Sequence, residues 1–434
     1  MSSMNRRGFR PGSRLAGCAA LATLCIGCSE RRPERASNRW DSAGVEVVTH
    51  AWAGGSIDTS EVVRLPTDTL ISDIDLPDSL AFGRLVDLSV GPNGRIHVLD
   101  QFFQQVQVFL EGGTFLGTIG RPGSGPREFG GGVSQILAWG GGFSVPDYLN
   151  HRITRFDWTG ASIEAWPLPP ELPGLPVKWG VDTRGRILIQ SKDMPGAYFE
   201  QAGFGGDDGL TGDGLLRYQP DSKSFERVLV LPEGRVVDRD VSNSGKLRLF
   251  DSEPFWAAAA DGHIVFGVNS IGEIFVSDSV GCVERVIRLA IDPEPVSSAD
   301  RELGRDLFLS YLRNQGVPES GLGLISKTLE IADHYPLFSG IFLGPASSIW
   351  LQMPRSLSEI SDPNRVFGQE NFNLLGPGSQ RWIVLKSNGD WVGMVALPED
   401  FQPKAHFANR IYGIVRDKLD RQQIVVALTE GIFQ

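Results

Sequence analysis

The sequence predicts an all-β fold, a six-bladed β-propeller with a short helical insertion between blades four and five. Two observations carry this prediction. A turn-flanked pair of alternating strands recurs six times along the 434 residues. Glycine and proline are also abundant, at 52 and 27 residues, as is typical of many short strands joined by turns.

The first repeat shows the strand pattern most plainly. Residues 85–90 and 95–100 alternate apolar and polar side chains on either side of the turn Gly91-Pro92-Asn93-Gly94. A third strand is predicted at 105–109 and a fourth at 115–119. Four successive antiparallel strands form one propeller blade.

Aligning the six repeats stacks apolar residues in two columns, two positions apart. The first column holds Ile96, Phe143, Ile187, Ile264, Ile349 and Ile411. The second column holds Val98, Val145, Ile189, Phe266, Leu351 and Gly413. Apolar columns of period two are what the packing of one blade on the next requires.

Two of the repeats resemble a known family. Val98-Leu99-Asp100 followed by Val106-Gln107-Val108-Phe109 resembles an NHL repeat, as does the stretch 145–156, and residues 119–129 are similar to the linker between such repeats. The resemblance is close over about residues 85–160. It implies a six-bladed NHL-like or TolB-like propeller.

The chain ends should meet in blade six, because propellers usually close by pairing strands from both ends in one blade. We expect that blade to contain residues 404–407, 410–415 and 423–428. Its outer strand is expected at 44–48 or, failing that, at 61–65.

Residues 297–332 break the β pattern, with apolar residues at helical spacing. Ser297 and Asp300 resemble a capping box, and Gly316 supplies a stop. A second helix is expected at 324–332. We interpret these residues as an insertion on one rim of the propeller.

The N-terminus predicts export. Residues 1–27 have the layout of a lipoprotein signal peptide, in which four arginines precede an apolar stretch too short to span a bilayer. The ending Leu24-Cys25-Ile26-Gly27-Cys28 resembles a bacterial lipobox, which implies that Cys28 is lipidated and becomes the mature N-terminus. Cys18 follows a closer literal lipobox but lacks the apolar run. An ordinary cleaved signal is the alternative, and Asn5–Phe9 also resembles a twin-arginine signal.

The expected domain order follows from this signal. Residues 28–43 are polar and predict a flexible tether, and residues 44–434 form the propeller. The expected location is a membrane-anchored lipoprotein on the periplasmic face or cell surface, at the outer membrane if the host is diderm. The formal net charge of −11 argues against nucleic-acid binding and against electrostatic adhesion to anionic lipid.

Three charged residues lie on predicted innermost strands, where side chains can reach the central channel: Asp87, Lys178 and Lys404. Polar groups that line a channel are candidates for ligand binding. The alternative is a hydrated funnel with no dedicated ligand. Trp179 and Trp256 fall on the same strands and are expected to pack.

The histidines do not converge when the repeats are aligned. His97 falls in a column otherwise filled by Ser144, Leu188, Val265, Trp350 and Tyr412. His151, His263 and His334 fall elsewhere in the repeat. NHL-type amidating lyases place metal-binding histidines around the propeller axis, and the histidines of this chain lack that register. We therefore predict no metal site, no cofactor and no catalytic set.

Two further features receive structural interpretations. Asp207, Asp208 and Asp213 lack the spacing of an EF-hand and are interpreted as a solvated loop. Cys282, at the start of a strand-like run, is expected to be a packed, inert thiol.

These features predict a membrane-anchored extracytoplasmic binding or scaffolding propeller. Its partner would be a protein, peptide or glycan of the cell envelope. The alternative is a metal-dependent lyase or lactonase acting in the channel, as the resemblance to related six-bladed folds implies.

Overall fold

Alternating apolar and polar residues build six blades, each with four antiparallel strands, and added strands enlarge the sheets of blades four and five. The structure, a computed structural model, describes residues 35–169, 172, 175–182, 184–192, 214–231, 248–259, 261–360, 378–417, 419 and 421–432. The signal peptide, Cys28 and the loop 207–213 lie outside these residues. An all-β six-bladed propeller is confirmed.

Each of the first five blades is a run of four consecutive strands, ordered from the innermost to the outermost. Blade one comprises Leu85–Val90, Ile96–Asp100, Gln105–Phe109 and Phe115–Ile119. Blade two comprises Leu137–Trp139, Gly142–Asp147, Arg152–Asp157 and Ser162–Pro167. Blade three comprises Leu175–Val181, Ile187–Lys192, Gly214–Gln219 and Ser224–Val230. Blade four comprises Pro254–Ala258, Ile264–Val268, Glu273–Ser277 and Val283–Ala290. Blade five comprises Gly340–Leu343, Ile349–Pro354, Gly378–Leu385 and Trp391–Ala396.

Blade six combines three C-terminal strands with one strand from the N-terminal part of the chain. Its first three strands are Gln402–Phe407, Arg410–Arg416 and Gln422–Leu428, and its outer strand is Thr67–Ser72. Our expectation of residues 44–48 or 61–65 was therefore wrong. Val45–Trp52 pairs instead, in parallel, with the outer strand of blade four, and Val63–Arg64 pairs with the outer strand of blade five.

The two repeat columns form the contacts between blades, as predicted. Every residue of the first column is at most 1% exposed, and the apolar side chains of the second column are at most 4% exposed. Burying a side chain of this size contributes about 1.5–3 kcal/mol to stability. The repeat pattern thus reports the packing of the ring.

An N-terminal hairpin widens the sheet of blade four to six strands. Arg35–Ser42 pairs with Val45–Trp52 and forms the outermost strand, exposed along its whole length. Residues 35–42 of the expected flexible tether, 28–43, form this strand instead. Several side chains of the hairpin and of blade four reach a turn of blade five, residues 387–390.

The two faces of the ring differ. On one, which we call the turn face, the first and second strands of a blade are joined by tight turns, with N–H to C=O bonds such as Gly94 to Gly91 at 2.9 Å and Gly262 to Ala259 at 3.0 Å. The opposite face, which we call the insertion face, carries the helical insertion between blades four and five. No helix among the described residues is long and apolar enough to cross a bilayer.

The helical insertion consists of α1, Ser298–Asn314, and α2, Glu319–Thr328. Ser297 caps α1 as predicted, since its hydroxyl accepts from the N–H of Asp300 at 3.0 Å. The second helix begins five residues earlier than expected. Residues 330–331 form a short parallel pair with Arg248–Leu249. Within the described ranges, 3-10 turns lie at Asp73–Asp75, Asp78–Leu80, Pro345–Ser347 and Leu357–Glu359.

Candidate functional site

The three candidate channel residues each lie at an irregularity in an innermost strand. The strand register shifts between Leu85 and Asp87 in blade one, between Pro176 and Lys178 in blade three, and between Pro403 and Ala405 in blade six. Such bulges change the direction of a side chain and are common near functional sites. In the plain repeat pattern this shift is not visible.

Asp87 is held in place by two backbone N–H groups. Leu88 donates to Oδ1 at 3.0 Å, and Ile136, at the start of blade two, donates to Oδ2 at 2.9 Å. Burial raises the pKa of Asp87, while the positive charges of Lys404 and Lys178 and the two N–H groups oppose that rise. The carboxylate therefore links blade one to blade two and lies within electrostatic range of both lysines.

Lys178 reaches from blade three to blade four. Its ammonium donates to the backbone oxygen of Trp256 at 2.5 Å and lies 5.1 Å from the centroid of the indole ring. Burial lowers the pKa of Lys178 to about 8, with Asp87 raising it and Lys404 lowering it further. Lys178 is therefore charged in most molecules at neutral pH, with a much smaller margin than an ordinary lysine.

Of the three candidate residues, Lys404 has the fewest hydrogen-bond and ion-pair partners among the described residues. Its half-buried side chain acts electrostatically on Asp87 and Lys178. Within the described part of the chain, the ammonium has no hydrogen-bond acceptor and no carboxylate oxygen within 4.0 Å. Two ammonium groups thus act electrostatically on one carboxylate without forming an ion pair within 4.0 Å of it, and the three residues together carry an excess of positive charge.

Glutamines that the sequence reasoning missed connect the neighbouring blades. The amide of Gln135 accepts from the N–H of Trp179 at 2.7 Å and donates to the carbonyl of the same residue at 3.2 Å. Gln422 binds the backbone of Leu85 in the same two-point manner. The only sign of these bonds in the sequence was a glutamine beside an apolar strand, because Trp179 and Leu85 are distant in sequence from the glutamines that bind them.

The two tryptophans on the innermost strands pack, as expected. Trp179 is 6% exposed and Trp256 is 1% exposed. The indole N–H of Trp256 donates to Oε1 of Gln190 at 2.9 Å. The buried Trp256 thus offers both its backbone oxygen and its ring to the Lys178 ammonium.

The histidines occupy separate environments. His97 is buried against Phe143 and Trp158, with ring centroids 4.9 and 5.4 Å away, and burial lowers its pKa to about 4. Over the described ranges, no group of three or more His, Cys, Asp or Glu side chains is placed to hold a metal ion.

His263 has two acidic neighbours beside a cavity of about 210 Å³ between blades four and five. Its Nδ1 lies 2.9 Å from Asp261 and its Nε2 lies 3.1 Å from Glu284. These contacts raise the pKa of His263, chiefly through the hydrogen bond with Asp261. Cys282, near this edge, is exposed, so our expectation of a packed thiol was wrong.

No protein-family model matches the chain, and no curated protein matches it. Among solved structures, a protein of Bacteroides fragilis assigned to the exported proteins is 11% identical, with 88% of this chain and 98% of that one covered and a TM-score of 0.49. A member of the DUF4221 family from Bacteroides vulgatus is 11% identical over 85% and 97%, with a TM-score of 0.45. Virginiamycin B lyase from Staphylococcus aureus is 12% identical over 83% and 99%, with a TM-score of 0.40.

The fold class of this protein therefore follows from the strand order of the chain itself. Its sheets define a six-bladed β-propeller in which Asp87, Lys178 and Lys404, on the innermost strands of blades one, three and six, influence one another electrostatically. Such a cluster can hold an anionic group by charge-assisted hydrogen bonds.

Proposed function

We propose that the protein is a lipid-anchored, extracytoplasmic binding protein. Its channel binds a carboxylate presented by a protein, peptide or glycan of the cell envelope. The observation that carries this proposal is that Lys178, Lys404 and Asp87 lie at register shifts of three innermost strands, where both lysines act electrostatically on the one carboxylate. The chain has a formal net charge of −11, so the positive charge of this cluster is opposite in sign to the charge of the whole chain.

A carboxylate ligand would supply the hydrogen-bond acceptors that the described side chains do not offer to Lys404. Lys404 has three donors to offer, and a bound carboxylate supplies acceptors for them. The same ligand would favour the charged form of Lys178 and so raise its lowered pKa. Binding should therefore be coupled to proton uptake near pH 8.

The binding test uses ligands that differ only in their charge. N-acetyl-dialanine would be compared with its C-terminal amide, and glucuronate with glucose, by isothermal titration calorimetry on the signal-free protein. We expect heat from the two carboxylates and at least tenfold weaker binding of the neutral partners. Lys404→Met should abolish this preference, because it removes the unpaired ammonium while keeping the length of the side chain.

The matched control is Lys327→Met, which removes an exposed ammonium from α2. It should bind the carboxylates as the wild type does. Equal binding of charged and neutral ligands, or an equal loss in both variants, would contradict the proposed role of the channel.

The anchor is tested separately. A diacylglyceryl group together with an amide-linked acyl chain supplies the more-than-one-chain attachment that stable anchoring needs. Labelled palmitate should enter the wild type and a Cys18→Ser variant but not Cys28→Ser. Incorporation that survives Cys28→Ser would remove Cys28 as the site of lipidation.

A further inference from the structure

The outermost strand of blade four is fixed firmly to the ring. All eight residues of Arg35–Ser42 pair with Val45–Trp52, which in turn pairs with the outer strand Val283–Ala290. Arg39 contacts Asp390 of blade five at 2.8 Å and also binds Glu46. The first described residue, Arg35, therefore cannot move away from blade four without breaking these pairs.

The distance from the anchor to this strand is short. Seven peptide steps separate Cys28 from Arg35, and a fully extended chain of that length spans at most about 25 Å. A domain of this size is on the order of 50 Å across. The tether is thus shorter than the ring is wide, and it holds one edge of the ring close to the bilayer.

The direction of that edge follows from its surroundings. Arg35 lies at the end of the strand nearest the insertion face, the face that carries α1 and α2. A helix with its side chains is about 10 Å thick, so the insertion face cannot lie flat on a membrane. The outer edge of blade four instead presents a flat strand in which Trp40 is 39% exposed, with Arg288 5.9 Å from its ring centroid.

We propose that the outer edge of blade four, Arg35–Ser42, rests on the lipid headgroups of the membrane that holds the anchor. This inference depends on the lipid anchor of the proposed function. An exposed tryptophan next to arginines is suited to the headgroup level, where one part of a side chain is apolar and another polar. Arg39 is paired with both Glu46 and Asp390, so the tether, rather than net charge, imposes the contact.

The test places a fluorophore at three positions of the full-length, acylated protein in vesicles of phosphatidylethanolamine and phosphatidylglycerol. The positions are the native Cys282 at the blade-four edge, Ser37→Cys on the outermost strand, and Leu116→Cys on the outer strand of blade one, the blade opposite. The latter two variants also carry Cys282→Ser. The quencher is a phosphatidylcholine with a nitroxide on its headgroup.

We expect at least twofold stronger quenching at residues 37 and 282 than at residue 116. Inserting fifteen flexible residues before Arg35 should reduce the difference. Quenching at 37 without quenching at 282 would place the insertion face on the membrane and overturn the proposal, as would equal quenching at all three positions.

Palmitate labelling of the same samples separates the two proposals. Acylated protein without the expected quenching pattern overturns the orientation alone. Protein that carries no palmitate overturns the anchor, and the orientation with it.

Discussion

The side-chain amide of Gln422 holds the backbone of Leu85 at two points. Leu85 donates to Oε1 at 2.7 Å, and Nε2 donates to the Leu85 carbonyl at 3.0 Å, between residues 337 positions apart. Gln422 begins the third strand of blade six, and Leu85 begins the innermost strand of blade one. This side chain therefore connects the last blade to the first.

Replacing Gln422 should weaken that connection. Gln422→Ala leaves a buried N–H and a buried carbonyl without partners, so we expect the free energy of unfolding to fall by about 1–3 kcal/mol. Urea denaturation would measure the change. Gln423→Ala, which removes only a 3.4 Å contact with Ser72, should have a smaller effect, and equal effects would contradict the role given to Gln422.

Ile71 tests the strand that closes the ring. It is 4% exposed and packs with Tyr412, Ile424 and Val426. Ile71→Ala should lower the free energy of unfolding by about 2–5 kcal/mol, because it leaves a cavity in the core of blade six. Ile163→Ala, at a position that is 52% exposed, is the control and should change stability little. A stability loss no larger than that of the control would remove Thr67–Ser72 from the closure.

Lys178 should make stability depend on alkaline pH. Its pKa is about 8 in the folded protein, below the ordinary value of 10.5, so folding disfavours its charge. That penalty is constant below pH 8 and disappears as the pH rises from about 8 to 10.5, where the unfolded chain binds more protons than the folded one. The stability of the wild type relative to Lys178→Met should therefore rise over this range. A pH-independent difference would contradict the lowered pKa.

His263 should make stability fall as the pH rises near neutrality, the opposite of the effect of Lys178. Asp261 and Glu284 raise its pKa above 6.5, so their stabilising effect is full below that pH and is lost as the pH rises through the raised value. Thermal unfolding of wild type and His263→Gln should differ most in mildly acidic buffer and converge on the alkaline side. Since the side chain is well exposed, added salt should reduce the difference.

The ring was predictable because its signal is local and repeated. Ile96 and the equivalent residues of the other five repeats recur at fixed positions. Each of the first five blades forms from one continuous segment of the chain and packs on the blade formed by the next segment. The closing strand was missed because half of Thr67–Ser72 is exposed, which weakens its alternation. Val45–Trp52 has the stronger strand pattern, yet it pairs with blade four across more than two hundred residues.

The candidate site was also predictable in part only. That Asp87, Lys178 and Lys404 lie on innermost strands followed from the repeat register. Their mutual electrostatic influence did not, because it depends on the curvature of the ring and on three register shifts. The two-point bonds of Gln135 and Gln422 were equally hidden, since a glutamine in sequence gives no sign of a distant backbone partner.

The closure of blade six joins strands that lie far apart in the chain. Ser72 and Gln423 are neighbours in the finished sheet but 351 positions apart in the chain. Pairing over such a separation is slow, because a large loop must close before any contact forms. A chain exported in the unfolded state would deliver Thr67–Ser72 to the far side of the membrane long before its partner is synthesised or threaded. In a chain exported unfolded, the ring could therefore close only after Gln422–Leu428 had also crossed the membrane.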